Sequence, residues 1–377
     1  MNKIKIIFVA ACAGLLLIAT GCGNHHKDLD VLPPITADSR PFLMGFTRWP
    51  PDLSEASVEI ADRFIEQHAD LAVVHLLGGI PWPEAFGGLP YPKDVNTQLS
   101  YRPPSGKKLY VSVTPLDMDR SGIAPYWGER DNMPLPPAWR DARLDSPEVK
   151  KAYGEFLMHI VDEMHPDYLN IGVEANLLIT KNPNAWPAYV ELHKYCYRLL
   201  KEKYPDLPVF VSIEVLHLNG LADKSDKDTQ YRLVKDLMTY SDLFGMSVYP
   251  YMSYQVPRPM PSGFLDFARQ FGRPIAVAES GYTSKDVWIF VLPLFGSEDL
   301  QTDFVSKLLS VAVRDRYLFV VNFATTDFEK LVKKLPYMIG NMAKIWQNTG
   351  LQDSHLRPKK ALSIWDSYFR LEYKPRD

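Results

Sequence analysis

Eight short apolar runs alternate with segments of helical periodicity, and this alternation constrains the fold more than any other feature of the chain. The runs are rich in branched residues, as is typical of parallel strands that are buried on both faces. Eight strand-helix units favour an α/β protein of the closed (β/α)8 TIM-barrel type over an open sheet of five or six strands. The predicted strands are 42–46, 71–76, 109–113, 168–174, 209–215, 243–249, 275–279 and 318–323.

The segments between the runs predict helices, with two exceptions that both follow strands. The predicted helices are 57–67, 147–164, 186–203, 228–240, 264–271, 300–313, 335–347 and 359–368. Residues 77–108 are rich in Gly and Pro and show no clear helix, and residues 115–145 form a long Pro-rich loop. Loops of this length are usually functional, and the loops after the strands lie on the active face of a barrel. Trp127 and Trp139 could either anchor the long loop or contact a ligand.

The first 22 residues are typical of an export signal. Lys3 and Lys5 precede an apolar stretch that is too short for a membrane span, and small residues follow it. The ending at Gly21 and Cys22 resembles a bacterial lipoprotein signal, in which Cys22 would carry the lipid. An ordinary cleaved signal and an anchor helix are the alternatives. We therefore expect a signal peptide over 1–21, a lipidated tether over 22–40 and a barrel domain over 41–377. The protein would be exported and lipid-anchored to the cell envelope, with the outer membrane favoured by Gly23.

Composition and motifs exclude several functional classes. The net charge is −3 with both signs mixed along the chain, which argues against a nucleic-acid partner. No Gly-rich phosphate loop, dinucleotide fingerprint, zinc-spaced Cys/His cluster or Gly-x-Ser-x-Gly elbow is present, so we predict no cofactor and no metal. Cys196 is the single cysteine beyond Cys22, and its helical setting predicts a buried, unreactive thiol.

Chemically active side chains stand where the predicted strands end. Glu174 ends the fourth run and Glu279 ends the seventh. Because the carboxyl ends of barrel strands converge on one mouth, these two carboxylates form an arrangement that glycosidic bond cleavage uses. Buried carboxylates paired with Arg or Lys are the alternative. Glu214 is a third carboxylate at a strand end, and we interpret it as structural. Other polar or aromatic residues near the ends are Arg48, Trp49, His75, Asp117, Asn176, His217, Tyr249, Tyr251 and Asn322.

The sequence around these ends resembles glycoside hydrolases of the barrel clan that carries its acid/base on the fourth strand and its nucleophile on the seventh. Within that clan it is most similar to family 53, the endo-β-1,4-galactanases. The resemblance covers most of the chain and is most specific at the sixth and seventh strands. Its motifs are Asn170-Ile-Gly-Val-Glu174-Ala-Asn, His217-Leu-Asn-Gly220, Asp242-Leu-Phe-Gly-Met-Ser-Val-Tyr-Pro-Tyr251 and Ala278-Glu-Ser-Gly-Tyr282.

The resemblance implies a role for each matching residue. Glu174 would act as general acid and then general base, and Glu279 as the nucleophile, with Tyr249 donating a hydrogen bond to Glu279. One position departs from the clan, because Val173 stands where an Asn usually binds the sugar 2-hydroxyl. The remaining residues expected to bind substrate are Trp49, Tyr251, Trp288 and His217, together with His75, Asp117, Asn176 and Asn322; of these, His75 and Asp117 could equally be loop anchors.

Two functions from different classes follow from these observations. The first is a retaining endo-acting glycoside hydrolase that cuts a polysaccharide, such as a β-galactan. The second is a non-catalytic glycan-binding lipoprotein of the cell envelope, which the departure at Val173 motivates. An aromatic mouth that binds a protein partner is a third possibility.

Overall fold

The computed structural model describes residues 37–375, in which eight parallel strands close into a barrel. Each strand pairs with the next along the chain, and the eighth pairs with the first. The TIM-barrel prediction is therefore confirmed. The strands are β1 Leu43–Thr47, β2 Leu71–Leu76, β3 Lys108–Val113, β4 Tyr168–Asn170, β5 Val209–Glu214, β6 Phe244–Val248, β7 Ile275–Ser280 and β8 Phe319–Asn322.

The predicted signal peptide, Cys22 and the tether as far as residue 36 lie outside the described residues. Within residues 37–375, no helix is both long and apolar enough to cross a membrane. The predicted tether ends too late, because Ser39–Arg40 pair in parallel with Glu372–Tyr373. Arg40 is buried and donates to Asp70 at 2.7 Å and to the Phe42 carbonyl at 2.7 Å, which ties this segment to the bottom of the barrel.

Helices surround the barrel, and two of those that the sequence did not predict lie in the segment after β2. These are Trp82–Gly87 and Lys93–Leu99, in the segment interpreted as lacking a clear helix. Trp82 is fully buried, and its indole donates to the Ala124 carbonyl at 2.9 Å. Tertiary burial therefore stabilises short helices that weak local propensity does not predict. The other α-helices are Glu55–His68, Pro147–Met164, Leu177–Lys181, Trp186–Lys203, Val215–Leu218, Lys227–Leu237, Glu298–Arg314, Glu329–Val332, Tyr337–Ala343 and Lys360–Phe369.

The interior of the barrel has an apolar lower part and a polar upper part. Tyr110, Phe210 and Phe319 pack against one another with ring centroids 5.4 to 6.0 Å apart. Alternation along a strand points every second side chain inward, so Ser112 follows Tyr110 and lies one layer higher. The aromatic layer therefore closes the barrel below, and polar inward side chains line the mouth at the carboxyl ends of the strands.

A buried ion pair joins the loops after β7 and β8 to the last helix. Lys359 donates to Asp327 at 2.6 Å, to the Ser284 hydroxyl at 2.9 Å and to the Gly350 carbonyl at 2.7 Å. The side chains of Lys359 and Asp327 are 3% and 0% exposed. Burial raises the pKa of Asp327 to about 6 and lowers the pKa of Lys359. The pair is thus closed off from solvent beside the mouth.

Replacing Lys359 with Met is expected to lower the free energy of unfolding by about 3–5 kcal/mol, because it leaves a buried carboxyl without its partner. Urea denaturation at pH 7 measures the loss. Lys360→Met removes the neighbouring exposed pair with Asp299 and should leave the unfolding midpoint unchanged. Equal midpoints for the two variants would contradict the role of the buried pair.

Candidate active site

Glu279 reaches the mouth through an irregularity in β7. Ala278 packs in the barrel interior, so a regular strand would turn the next side chain, Glu279, outward. The pairing of β6 with β7 shifts by one residue, from Met246 opposite Val277 to Ser247 opposite Glu279. A bulge of this kind re-aims a side chain. Glu279 therefore points into the mouth, with 15% of its side chain exposed.

Two neutral groups flank the Glu279 carboxyl. The Tyr249 hydroxyl donates to Glu279 Oε1, as the resemblance implies. His75 Nε2 lies 3.5 Å from Glu279 Oε2 and 3.1 Å from the Thr47 hydroxyl, while its Nδ1 bonds the Ser112 hydroxyl. Burial and the charge of Arg120 lower the pKa of His75 to about 4. The imidazole is therefore neutral at neutral pH, and His75 lies against the carboxyl as an uncharged neighbour.

Glu174 does not lie on a strand, contrary to the sequence-based prediction. Strand β4 ends at Asn170, and Glu174 has φ 50°, in the left-handed region that residues other than Gly rarely adopt. Strained backbone of this kind persists where surrounding contacts hold it, often at functional sites. Here Ser212 on β5 provides two of them, since its hydroxyl accepts from the Glu174 N–H at 3.0 Å and its carbonyl accepts from the Ala175 N–H at 3.1 Å.

The two carboxyls lie in a low-dielectric environment, and the charge of Glu174 acts on Glu279. Burial, followed by the charge of Glu174, raises the pKa of Glu279 to about 8. Burial also raises the pKa of Glu174, where Glu214 adds to the effect and Arg120 and His217 oppose it. Two carboxyls that repel each other lose their protons in separate steps, and those steps belong to the pair. The pair therefore holds one proton over a range of pH that ends near pH 8.

Arg120 is the residue of this site that sequence reasoning missed. It belongs to the long loop after β3, and its side chain is 3% exposed. Its Nε donates to the Val173 carbonyl at 2.9 Å, and its Nη2 lies 3.8 Å from Glu174 Oε2. The length and position of the loop signalled a functional segment, but no motif distinguished this arginine from the other charged residues there.

A second cluster of charges lies on the β5 side of Glu174. Glu214 accepts from the His217 backbone N–H at 2.7 Å and contacts His217 Nδ1 at 2.6 Å, while Nε2 lies 3.1 Å from Asp223. Burial opposes a charged imidazole, but the bonds to Asp223 and Glu214 outweigh it and raise the pKa of His217 to about 9. Both ring nitrogens are thus occupied, so His217 is not free to bind sugar as predicted. Glu214 caps the short helix Val215–Leu218, which agrees with its structural interpretation.

Three other residues expected to bind substrate are committed to the protein itself. Asn176 exchanges hydrogen bonds with the Glu214 backbone, accepting at 2.7 Å and donating at 3.0 Å. The Tyr251 hydroxyl donates to the Ile345 carbonyl at 2.6 Å, and the Asn322 amide donates to two loop carbonyls. All three are at most 2% exposed. Backbone groups left unpaired at strand ends need partners, and these side chains provide them.

The remaining predicted residues lie at the rim. Trp49 is partly buried and packs against Phe323 and Phe328, with ring centroids 5.3 and 5.8 Å away. Asp117 accepts from the Ser121 N–H and hydroxyl at 2.8 and 3.0 Å, which favours the loop-anchor alternative for this residue.

The aromatic residues of the loops divide into anchors and exposed surface. Trp127 and Trp139 are buried, so they anchor the long loop, one of the two roles that the sequence allowed. Trp288 is 58% exposed, on the hairpin formed by Val287–Ile289 and Leu292–Leu294 after β7. Trp288 is thus open to a ligand at the edge of the active face.

Neither a metal site nor a reactive thiol accompanies this mouth. In residues 37–375, no group of three or more His, Cys, Asp or Glu side chains is arranged to hold a metal ion. Cys196 is buried, and burial raises the pKa of its thiol, in agreement with the predicted unreactive side chain.

Comparison with known proteins places this geometry in a wider context. Residues 126–288 match the model for Glycosyl hydrolase family 53, and this stretch contains both Glu174 and Glu279. The match covers less than half of the chain. No curated protein matches the sequence significantly. Together, the family match and the barrel support glycosidase activity.

Solved structures share the fold at low sequence identity. The exo-β-1,4-mannosidase Op5Man5 from Opitutaceae bacterium strain TAV5 matches with TM-score 0.58 and 16% identity, over 88% of this chain and 60% of the mannosidase. Xylanase 10B from Thermotoga maritima matches with TM-score 0.57 and 12% identity, over 87% of this chain and 94% of the xylanase. β-Glucuronidase 2 from Bacteroides uniformis matches with TM-score 0.53 and 14% identity; the match covers 87% of this chain but only 35% of the glucuronidase.

Proposed function

We propose that the protein is a retaining glycoside hydrolase that cuts a polysaccharide within the chain, with Glu174 as acid/base and Glu279 as nucleophile. The observation that carries the proposal is the pair of largely buried carboxyls at the mouth: burial raises the pKa of both, and the charge of Glu174 raises the pKa of Glu279 further. Retaining glycosidases use a proton donor and an ionised nucleophile on either side of the scissile bond. A pair that holds a single proton can supply both.

The chemistry follows in two steps. Ionised Glu279 attacks the anomeric carbon, while Glu174 transfers its proton to the leaving oxygen, which leaves a glycosyl-enzyme ester on Glu279. Glu174, now ionised, then takes a proton from a water molecule, and the resulting hydroxide attacks the anomeric carbon and releases Glu279. Tyr249 donates to the Glu279 carboxyl and restricts its orientation.

A β-1,4-galactan is the first substrate class to test. The family 53 match and the motif around Tyr249 and Tyr251 support it. The structural neighbours are named for β-glucuronides, β-1,4-mannosides and xylan, so the fold alone serves several sugars. The exposed ring of Trp288 offers a flat apolar face that suits a sugar ring beyond the mouth.

The second candidate is a glycan-binding protein without turnover, and Val173 is the observation that favours it. The valine side chain is 5% exposed and cannot form the hydrogen bond that an Asn would offer. Asn176 does not replace it, because its amide is bonded to the Glu214 backbone. That hydrogen bond strengthens in the transition state, so its loss lowers the rate more than the affinity.

A panel of polysaccharides distinguishes the two candidates. Purified protein without its signal should release reducing ends from at least one β-linked polysaccharide, with retention of anomeric configuration by proton NMR. The Glu174→Gln and Glu279→Gln variants provide the matched controls. Binding by calorimetry without product on any polysaccharide would favour the second candidate, and inversion of configuration would contradict the retaining mechanism.

We also propose that the chain is exported and held at the outer membrane by a lipid on Cys22. The support is the sequence from Lys3 to Gly23, with its short apolar core and its Gly21-Cys22 ending. Cys22→Ser is expected to move the protein from the membrane fraction to the soluble periplasmic or secreted fraction, because the acyl chains provide the anchor. Membrane association that survives this substitution would contradict the lipid anchor.

A further inference from the structure

Arg120 is a buried arginine that donates hydrogen bonds both to its own loop and to the backbone of the active site. Its Nη1 donates to the carbonyls of Asp117 and Met118 at 2.9 and 3.1 Å, within its own loop. Its Nε donates at 2.9 Å to the Val173 carbonyl, across the mouth on the segment that follows β4. Arg120 therefore connects the long loop after β3 to the residue that immediately precedes Glu174.

This contact acts on a backbone conformation that needs support. The φ of Glu174 is 50°, and the peptide that links it to Val173 is bonded on both sides of that bend. Arg120 holds the Val173 carbonyl, and Ser212 accepts from the Glu174 N–H at 3.0 Å. The φ of Glu174 sets the direction in which its carboxyl points. Loss of the Arg120 hydrogen bond would therefore allow the carboxyl to change its orientation.

The charge of Arg120 is also directed at the glutamate pair. In the described part of the chain, the one carboxylate that an ion-pair contact places near its guanidinium is Glu174, 3.8 Å away. The guanidinium lowers the pKa of both Glu174 and Glu279 against the effect of burial. An opposite charge within about 4–6 Å lowers a carboxyl pKa by about 1–3 units.

The other groups that face Glu174 do not replace that charge. His217 is a cation at neutral pH, but it lies between Glu214 and Asp223, which balance it at 2.6 and 3.1 Å. Glu214 itself raises the pKa of Glu174.

The two side chains that contact the Glu279 carboxyl are uncharged. The Tyr249 hydroxyl donates to it, and His75 is a neutral imidazole because burial lowers its pKa to about 4. The charged neighbour is Glu174, which after burial is the largest cause of the raised pKa of Glu279 and opposes its ionisation. Among the described residues, Arg120 is thus the cation of the mouth whose ion pairs involve no carboxylate other than Glu174.

We propose that Arg120 is a positioning residue for the glutamate pair: it holds the left-handed turn that aims Glu174, and it supplies the positive charge that allows the pair to release one of its two protons. The catalytic consequence rests on the proposed glycosidase function, whereas the effect on the titration of the two carboxyls does not.

Two substitutions separate the two roles. Arg120→Lys keeps a positive charge but loses the planar fork that reaches the Val173 carbonyl and the Asp117 loop together. Arg120→Met removes the charge and the hydrogen bonds, and keeps much of the apolar stem. Arg40→Met is the matched control, because Arg40 is equally buried and bonds a backbone carbonyl and Asp70 at the bottom of the barrel.

Carboxyl titration by NMR, with glutamate labelled at its side-chain carbonyl carbon, tests the charge directly. Glu174→Gln and Glu279→Gln assign the two signals. We expect the pKa for the first deprotonation of the pair to rise by about one unit or more in Arg120→Met. The same pKa should rise by much less in Arg120→Lys and Arg40→Met. A folded Arg120→Met with a wild-type titration would overturn the charge role. If Arg120→Met does not fold, a shift of one unit in Arg120→Lys would overturn it equally.

Turnover tests the positioning role. We expect kcat of Arg120→Lys to fall about 10-fold or more with little change in KM, because a misplaced acid slows the chemical step more than binding. The acid limb of its pH profile should stay near that of the wild type. Wild-type kcat in Arg120→Lys would overturn the positioning role. A wild-type protein without activity on any polysaccharide would contradict the proposed function, and the NMR titration would still decide the charge role.

Discussion

Replacement of Glu279 with Gln is expected to reduce turnover by a factor on the order of 10³ or more and, at the same time, to stabilise the fold at pH 8. The loss of turnover follows because an amide cannot attack the anomeric carbon, and removal of a covalent nucleophile has effects of at least this size. The gain in stability follows from the cost of burying a carboxyl that is ionised in the unfolded chain.

The sign of the stability effect follows from the shift in pKa. Glu279 has its pKa raised from 4.5 to about 8 on folding, so its contribution to stability is fully present below pH 4.5 and is lost as the pH rises towards 8. Gln has the same shape and does not titrate. The variant should therefore be more stable than the wild type by about 2–4 kcal/mol at pH 8 and about equally stable at pH 4.

Urea denaturation at the two pH values, alongside turnover on the polysaccharide that the panel identifies, measures both effects. Glu202→Gln is the control, because Glu202 is an exposed glutamate on the helix Trp186–Lys203 and should change neither quantity. A stability gain of the same size at pH 4 and pH 8 would show that the carboxyl of Glu279 is not held in its protonated form by burial.

The positions of the strands could be predicted because each is a buried apolar run whose composition differs from its surroundings. All eight appear in the barrel, and seven of the eight end within two residues of their predicted ends. The exception is the fourth, where the chain leaves the sheet after Asn170 and turns at Glu174. That turn depends on contacts from Ser212 and Arg120, which come from elsewhere in the chain.

The mouth could be predicted less well, because residue type at a strand end does not reveal what the side chain bonds. Asn176, Tyr251 and Asn322 are polar residues at the predicted place, yet each satisfies backbone groups of the protein. The inward direction of Glu279 likewise depends on the register shift opposite Ser247. Period-two alternation from Ala278 alone would have turned it outward.

Replacement of Glu174 with Ala is expected to slow polysaccharide cleavage by about 10²–10⁴-fold, which is the range for a general acid. The same variant should form the glycosyl-enzyme from a dinitrophenyl glycoside with little loss, because that leaving group departs without a proton. Breakdown of the intermediate would then become slow, since no base activates the water. A small nucleophile such as azide should restore it and give a glycosyl azide of the retained configuration.

The pH profile gives an independent signature of the same role. In the wild type, kcat/KM should fall as the pH rises through about 8, where the pair loses its last proton and Glu174 has none to donate. In Glu174→Ala, this alkaline limb should disappear for the dinitrophenyl substrate.

Steady-state and burst kinetics of the wild type and the Glu174→Ala variant on both substrates separate these effects. Glu174→Gln is the isosteric control and should behave like the alanine variant in its dependence on the leaving group. Equal losses on polysaccharide and dinitrophenyl substrate would contradict the acid role. The two glutamates would then have to be reassigned. The Arg120 guanidinium, 3.8 Å from Glu174, would favour an ionised Glu174 as the nucleophile.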